Sequence, residues 1–111
     1  MLPESLQLLK TVSISAREII FIESDINYSV FHLNNGKCFT IAKTLKKIQD
    51  ITQNHDFVRI NRRYLVNLAY VEREAWNSNA NYVSLINGMS LYYSRRRLTH
   101  SREKIMSYLL F

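Results

Sequence analysis

The chain has 111 residues, 47% of them hydrophobic, with five Phe, seven Tyr and one Trp. That is one domain's worth of sequence, able to bury roughly 65% of its unfolded surface, and it excludes a disordered chain. The single cysteine, Cys38, excludes an intramolecular disulfide framework and fits a reducing compartment. No apolar run reaches the ~18 residues of a membrane span, and Met1–Leu9 has no basic leader region, so the chain reads as cytoplasmic. Fifteen Lys and Arg against nine Asp and Glu leave a net charge of +6, which points to an anionic partner, nucleic acid first.

In chain order, Met1–Lys10 is a short amphipathic stretch, and residues 1–12 read as a linker or N-terminal extension, with the domain proper at 13–111. Thr11–Ser15, Arg17–Ser24 and Asn27–Leu33 follow as strands, the last two joined by a tight polar connection at Asp25-Ile26. Asn35-Gly36 and Asn87-Gly88 sit between strand-like runs (Asn27–Leu33 and Lys37–Ala42; Tyr82–Ile86 and Met89–Tyr93). Each predicts a hairpin, because both residues tolerate positive φ. Thr44 is placed to cap a helix with Leu45, Ile48 and Ile51 on its apolar side and Lys46, Lys47, Gln49 and Asp50 towards solvent. Phe57–Ile60 reads as a strand and Tyr70–Trp76 as a half-exposed one. Ser101 precedes a C-terminal helix over Arg102–Leu110, with Ile105, Met106, Leu109 and Leu110 as an apolar stripe. The sum is a mainly β domain with one short central helix and a C-terminal helix.

Little here suggests catalysis. His32, His55 and His100 lack ligand spacing, Cys38 has no CxxC partner and reads as a small core filler, and two glycines cannot build a phosphate-cradling loop. Glu23 and Asp25 share a strand face, but a turn role for Asp25 outweighs acid–base chemistry. No enzyme activity, metal, cofactor or small-molecule substrate is expected. The basic residues are more informative. Arg59, Arg62 and Arg63, with Arg95, Arg96, Arg97, Arg102 and Lys104, place eight of the fifteen cations in residues 59–63 and 95–104, beside one acid, Glu103. Guanidinium grips phosphate bidentately or pairs with guanine O6 and N7, Asn61 offers the analogous contact to adenine, and Ser94 can donate to a phosphate oxygen.

Three motifs in order carry a family resemblance: I-E-S-x-x-x-Y at Ile22–Tyr28, F-x-R-x-x-R-x-x-x-V-N at Phe57–Asn67, and S-R-R at Ser94–Arg96. Over roughly residues 13–110 the chain resembles a LytTR-type DNA-binding domain, the output domain of LytR/AlgR-like response regulators in bacteria. The resemblance implies an elongated arrangement of short, mostly antiparallel β-sheets. It also implies that loops enter successive major grooves of double-stranded DNA, here Ser24–Asn27, Asn61–Arg63 and Ser94–Arg97. It further implies paired repeats bound by two copies and a receiver domain N-terminal to the chain. The sequence departs from the family pattern at Asn61, where many members have His, at Arg63, where they have Ser or Asn, and at Arg97, which extends the usual pair of arginines.

On this footing Arg59, Arg62 or Arg63 and one or two of Arg95–Arg97 fix the register on phosphates. Asn61, Asn27 and one arginine from each loop read base edges. Phe57, Val58, Tyr64, Leu65 and Val66 anchor the second loop, Asn67 satisfies backbone groups near its bend, and Tyr28 belongs to the core. Two rivals stand beside this: a single-stranded nucleic-acid binder stacking bases on Tyr92 and Tyr93, and a protein-interaction module using Trp76 and Tyr70. The two arginine clusters are expected on one face.

Overall fold

The computed structural model describes residues 5–9 and 12–110. Its centre is a five-stranded antiparallel sheet made of β3 (Ile19–Asp25), β4 (Tyr28–Leu33), β5 (Cys38–Ile41), β6 (Phe57–Arg59) and β7 (Tyr64–Asn67), in the order β5-β4-β3-β7-β6. Two hairpins flank it, β1 (Ser5–Leu9) with β2 (Val12–Ser15) and β8 (Tyr82–Ser84) with β9 (Ser90–Tyr92). Two helices complete the fold, α1 (Leu45–Ile51) and α2 (Leu98–Leu109). The molecule measures 41 × 33 × 24 Å.

The sheet is buried on both faces because β3 alternates apolar side chains to each. Ile19 and Ile22 join Phe31, Phe57 and Leu65 under α1 and the β1–β2 hairpin. Phe21 joins Val58 and Val66 under β8–β9 and α2, where Ile105 is fully buried. Phe21 and Ile22 thus face opposite cores, and the bulge between Ile19 and Phe21 returns Ile19 to the Ile22 side.

Several expectations are corrected. Ser5–Leu9 falls in the stretch read as a linker or N-terminal extension, and it is a strand whose Leu6 and Leu8 are buried at 2% and 1% exposure against the α1 side of the sheet. Burial of that kind is worth about 1.5–3 kcal/mol per side chain. Both Asn-Gly hairpins form, but by a different turn. Only the glycines are left-handed (Gly36 φ 85°, Gly88 φ 90°), each closing a three-residue loop. The asparagine contributes its side chain instead: Asn35 Oδ1 accepts from Lys37 N at 2.9 Å and Asn87 Oδ1 from Met89 N at 3.0 Å.

Tyr70–Trp76 is not a strand. It consists of two 3-10 turns with a single bridge from Val71 to Leu85, because Asn67 and Glu72 each cap a turn through the side chain. Tyr64–Asn67, in contrast, is a strand that pairs with both β3 and β6. Ser101 does not cap α2 but lies buried within it, and of the expected stripe Met106 and Leu110 are exposed. Cys38 and Tyr28 are exposed rather than core. Thr44 caps α1 as expected, its hydroxyl accepting from Lys47 N.

Candidate nucleic-acid interface

Strand pairing brings three connections to one end of the sheet. The β3–β4 turn, the β6–β7 connection and the β9–α2 connection contain the three expected loops, and backbone hydrogen bonds join them side by side. Ser24 N in the first donates to Arg63 O in the second at 2.8 Å. Ser94 N in the third donates to Ile60 O in the second at 3.1 Å. The second loop is thus the middle member, and the two arginine clusters lie together.

The middle loop is held from within by residues first read as DNA contacts. Asn61 Oδ1 accepts from Arg63 N at 2.7 Å and from Tyr64 N at 3.0 Å, while its Nδ2 donates to Tyr92 O at 2.6 Å across the gap to β9. Arg59 donates through Nε to Asn61 O, through Nη2 to Arg62 O and through Nη1 to Gln49 Oε1, at 2.7, 2.7 and 2.9 Å. Burial, with the nearby charge of Arg97, lowers the Arg59 pKa. Ser101 Oγ on α2 donates to Arg59 O at 2.6 Å, tying the helix to the same loop. Both Asn61 and Arg59 are half-buried, with these polar groups engaged inside the loop.

Arg63 is exposed but not free. Its Nε and Nη2 donate to Glu23 Oε2 at 3.0 and 2.8 Å, and its guanidinium lies 5.5 Å from the Tyr64 ring centroid. The other oxygen of Glu23 meets His32 Nε2 at 2.8 Å, and the His32 ring stacks on Phe21 at 4.2 Å. Burial pushes the Glu23 carboxyl up, but the hydrogen bonds and charges of His32 and Arg63 outweigh it and hold the group below its ordinary range. The bond to Glu23 raises the Arg63 pKa in return.

The remaining expected residues lie at the surface of these loops. Asn27 is exposed in a two-residue turn whose other member, Ile26, has φ 55° and is 84% exposed. That conformation costs a β-branched residue roughly 1–2 kcal/mol. Arg62, Arg95 and Arg96 are exposed, and among the described residues their guanidinium groups have no acceptor. Ser94 and Arg97 are half-buried, with Arg97 N donating to Ser94 O at 3.1 Å in the turn that opens α2. Arg102 and Lys104 point elsewhere, to the carbonyls of Ser78 and Phe57.

The family model of the LytTr DNA-binding domain matches residues 9–106. The chain belongs to the LytTR family of DNA-binding domains. The LytTR fold is seen independently in a solved structure from Bacillus cereus, described as the LytTr DNA-binding domain of a methyl-accepting/DNA response regulator. It is 14% identical, covers 91% of this chain and 94% of its own, and superposes with a TM-score of 0.71. A search of curated proteins finds no match. The mostly β, antiparallel architecture with two helices is therefore the LytTR architecture, as the resemblance implied.

Within this LytTR domain, sequence reasoning missed Glu23, His32 and Gln49. From the sequence Glu23 reads as a strand residue without acid–base work, and Gln49 as solvent-facing. The missing signal was β7. Once Tyr64 pairs with Glu23 in the β3–β7 ladder, Arg63 has to lie within reach of that carboxylate. Among the described residues no cluster of His, Cys, Asp and Glu suits a metal ion, and no helix is long and apolar enough to cross a membrane.

Proposed function

We propose that this LytTR domain binds double-stranded DNA sequence-specifically as the output domain of a bacterial transcriptional response regulator in the cytoplasm. Its three joined loops would enter the major groove, without catalysis or a cofactor. The observation that carries the proposal is the backbone-bonded row of loops, which gathers the exposed Arg62, Arg63, Arg95 and Arg96 at one end of the sheet. The half-buried Arg97 stands beside them at the start of α2. That helix has no acidic residue in its first turn and no side-chain cap, so its N-terminal N–H groups suit a phosphate as well.

Arg62 and the third-loop arginines fix the register on phosphates, and one arginine from each of the second and third loops, with Asn27 of the first, reads base edges. Arg59 and Asn61 act indirectly, by holding the second loop in shape. Two copies on paired repeats, and a receiver domain N-terminal to this one, complete the proposed regulator.

Of the two rings that the single-stranded alternative offered for stacking, Tyr93 is buried at 8% exposure and Tyr92 is 61% exposed, so that reading keeps one platform in place of two. Trp76 packs against the core, and the Tyr70 hydroxyl donates to the Arg17 carbonyl, so neither offers the exposed strand that an interaction module required. Competition between a duplex and its separated strands tests the reading, with duplex preferred. With roughly three to four phosphates neutralised, log K against log salt should slope at about −3 to −4. A slope near zero, or preference for single strands, would overturn it.

A further inference from the structure

Glu23 fixes the Arg63 side chain in a particular way. Both hydrogen bonds come from one edge of the guanidinium, Nε–H and one Nη2–H, and both end on the same carboxylate oxygen. Five N–H groups minus these two leave both hydrogens of Nη1 and the second of Nη2. The outer Nη1–H and Nη2–H form a parallel pair, the fork that matches guanine O6 and N7 in the major groove. Glu23 is itself anchored: its other oxygen is bound by His32, which stacks on Phe21 in the sheet. Its side chain is only 19% exposed, whereas that of Arg63 is 64% exposed.

We propose that Glu23 is a positioning residue that holds Arg63 by its inner edge so that the outer edge reads one guanine. This rests on the duplex-binding reading above and names what one element of that site recognises. An arginine already paired with a carboxylate is a poor phosphate clamp, because its charge is partly compensated and its torsions are restricted. The same pairing suits a base reader, since a directional contact gains from a guanidinium that no longer swings. The negative charge of Glu23 also disfavours phosphate beside Arg63 and leaves the phosphates to Arg62 and the unpaired arginines of the third loop.

The test uses the full chain and the duplex it enriches from a random library, with each G·C pair replaced in turn by A·T. At one guanine the wild type should discriminate by about 5- to 100-fold. Arg63→Lys keeps the charge but lacks the paired donors, and Glu23→Gln weakens the hold on the guanidinium. Both should flatten discrimination at that position and leave the other positions unchanged. A merely structural role for Glu23 would instead weaken every position alike. Arg63 is exposed, so Arg63→Lys remains informative even if Glu23→Gln folds poorly. Discrimination retained by Arg63→Lys at every guanine, or a uniform loss in Glu23→Gln, overturns the proposal. A wild-type chain that shows no preference for duplex over single strands instead removes the reading beneath it.

Discussion

The second and third loops carry arginines at similar density in the sequence and use them in opposite ways. In the second, Arg59 makes three hydrogen bonds to its own chain and Arg63 two to Glu23. In the third, Arg95 and Arg96 are exposed, with no acceptor among the described residues. Arg102 and Lys104, counted with the third loop in the sequence, donate to distant carbonyls. A run of cations therefore overstates the charge available to a partner. The second loop is a shaped element held by Arg59 and Arg63, with Arg62 exposed beside them, and the third is mainly a source of free cations.

That contrast can be broken by substitution. Arg59→Met keeps the apolar stem but strips the donors from Asn61 O, Arg62 O and Gln49 Oε1. It should lower stability by about 2–3 kcal/mol in a urea titration, with specific duplex binding lost alongside. An unchanged urea midpoint would show that Arg59 does not hold the loop. In the first loop Ile26→Asn relieves a left-handed β-branched residue, since Asn tolerates that region. It should stabilise by about 1 kcal/mol and raise the melting temperature by several degrees in calorimetry.

Acid sharpens the comparison further. The Glu23 carboxyl is lowered in the folded chain, so the unfolded chain takes up its proton first. The stability it contributes is complete above the ordinary Glu range, about pH 4.3, and is lost as pH falls through the lowered folded value. Urea midpoints collected from pH 6 to pH 3 should fall less steeply for Glu23→Gln than for the wild type. Parallel curves would mean that the Glu23–Arg63 pair contributes nothing to the folded state.

Much of the fold was legible because its signals are local. Asn35-Gly36 and Asn87-Gly88 announced both hairpins, and Thr44 with Leu45 and Ile48 announced α1. The failures came where distant partners decide the structure. Tyr64–Asn67 is only four residues long and becomes a strand because β3 and β6 pair with it on either side. Leu6 and Leu8 look like a linker until the sheet covers them. At the site, the positions of the three loops could be read from the motifs. The internal use of Arg59 and Asn61 could not, because their partners Gln49 and Tyr92 lie 10 and 31 residues away.

The most direct test of the division between held and free arginines is the salt dependence of duplex affinity for the Arg95→Ala/Arg96→Ala double variant. Neither side chain has a described partner to lose, so its urea midpoint should match the wild type within about 0.5 kcal/mol of stability. The slope of log K against log salt should become shallower by about 0.9 to 1.8, as one or both cations neutralise a phosphate. A slope identical to the wild type, in a variant that folds normally, would contradict the account.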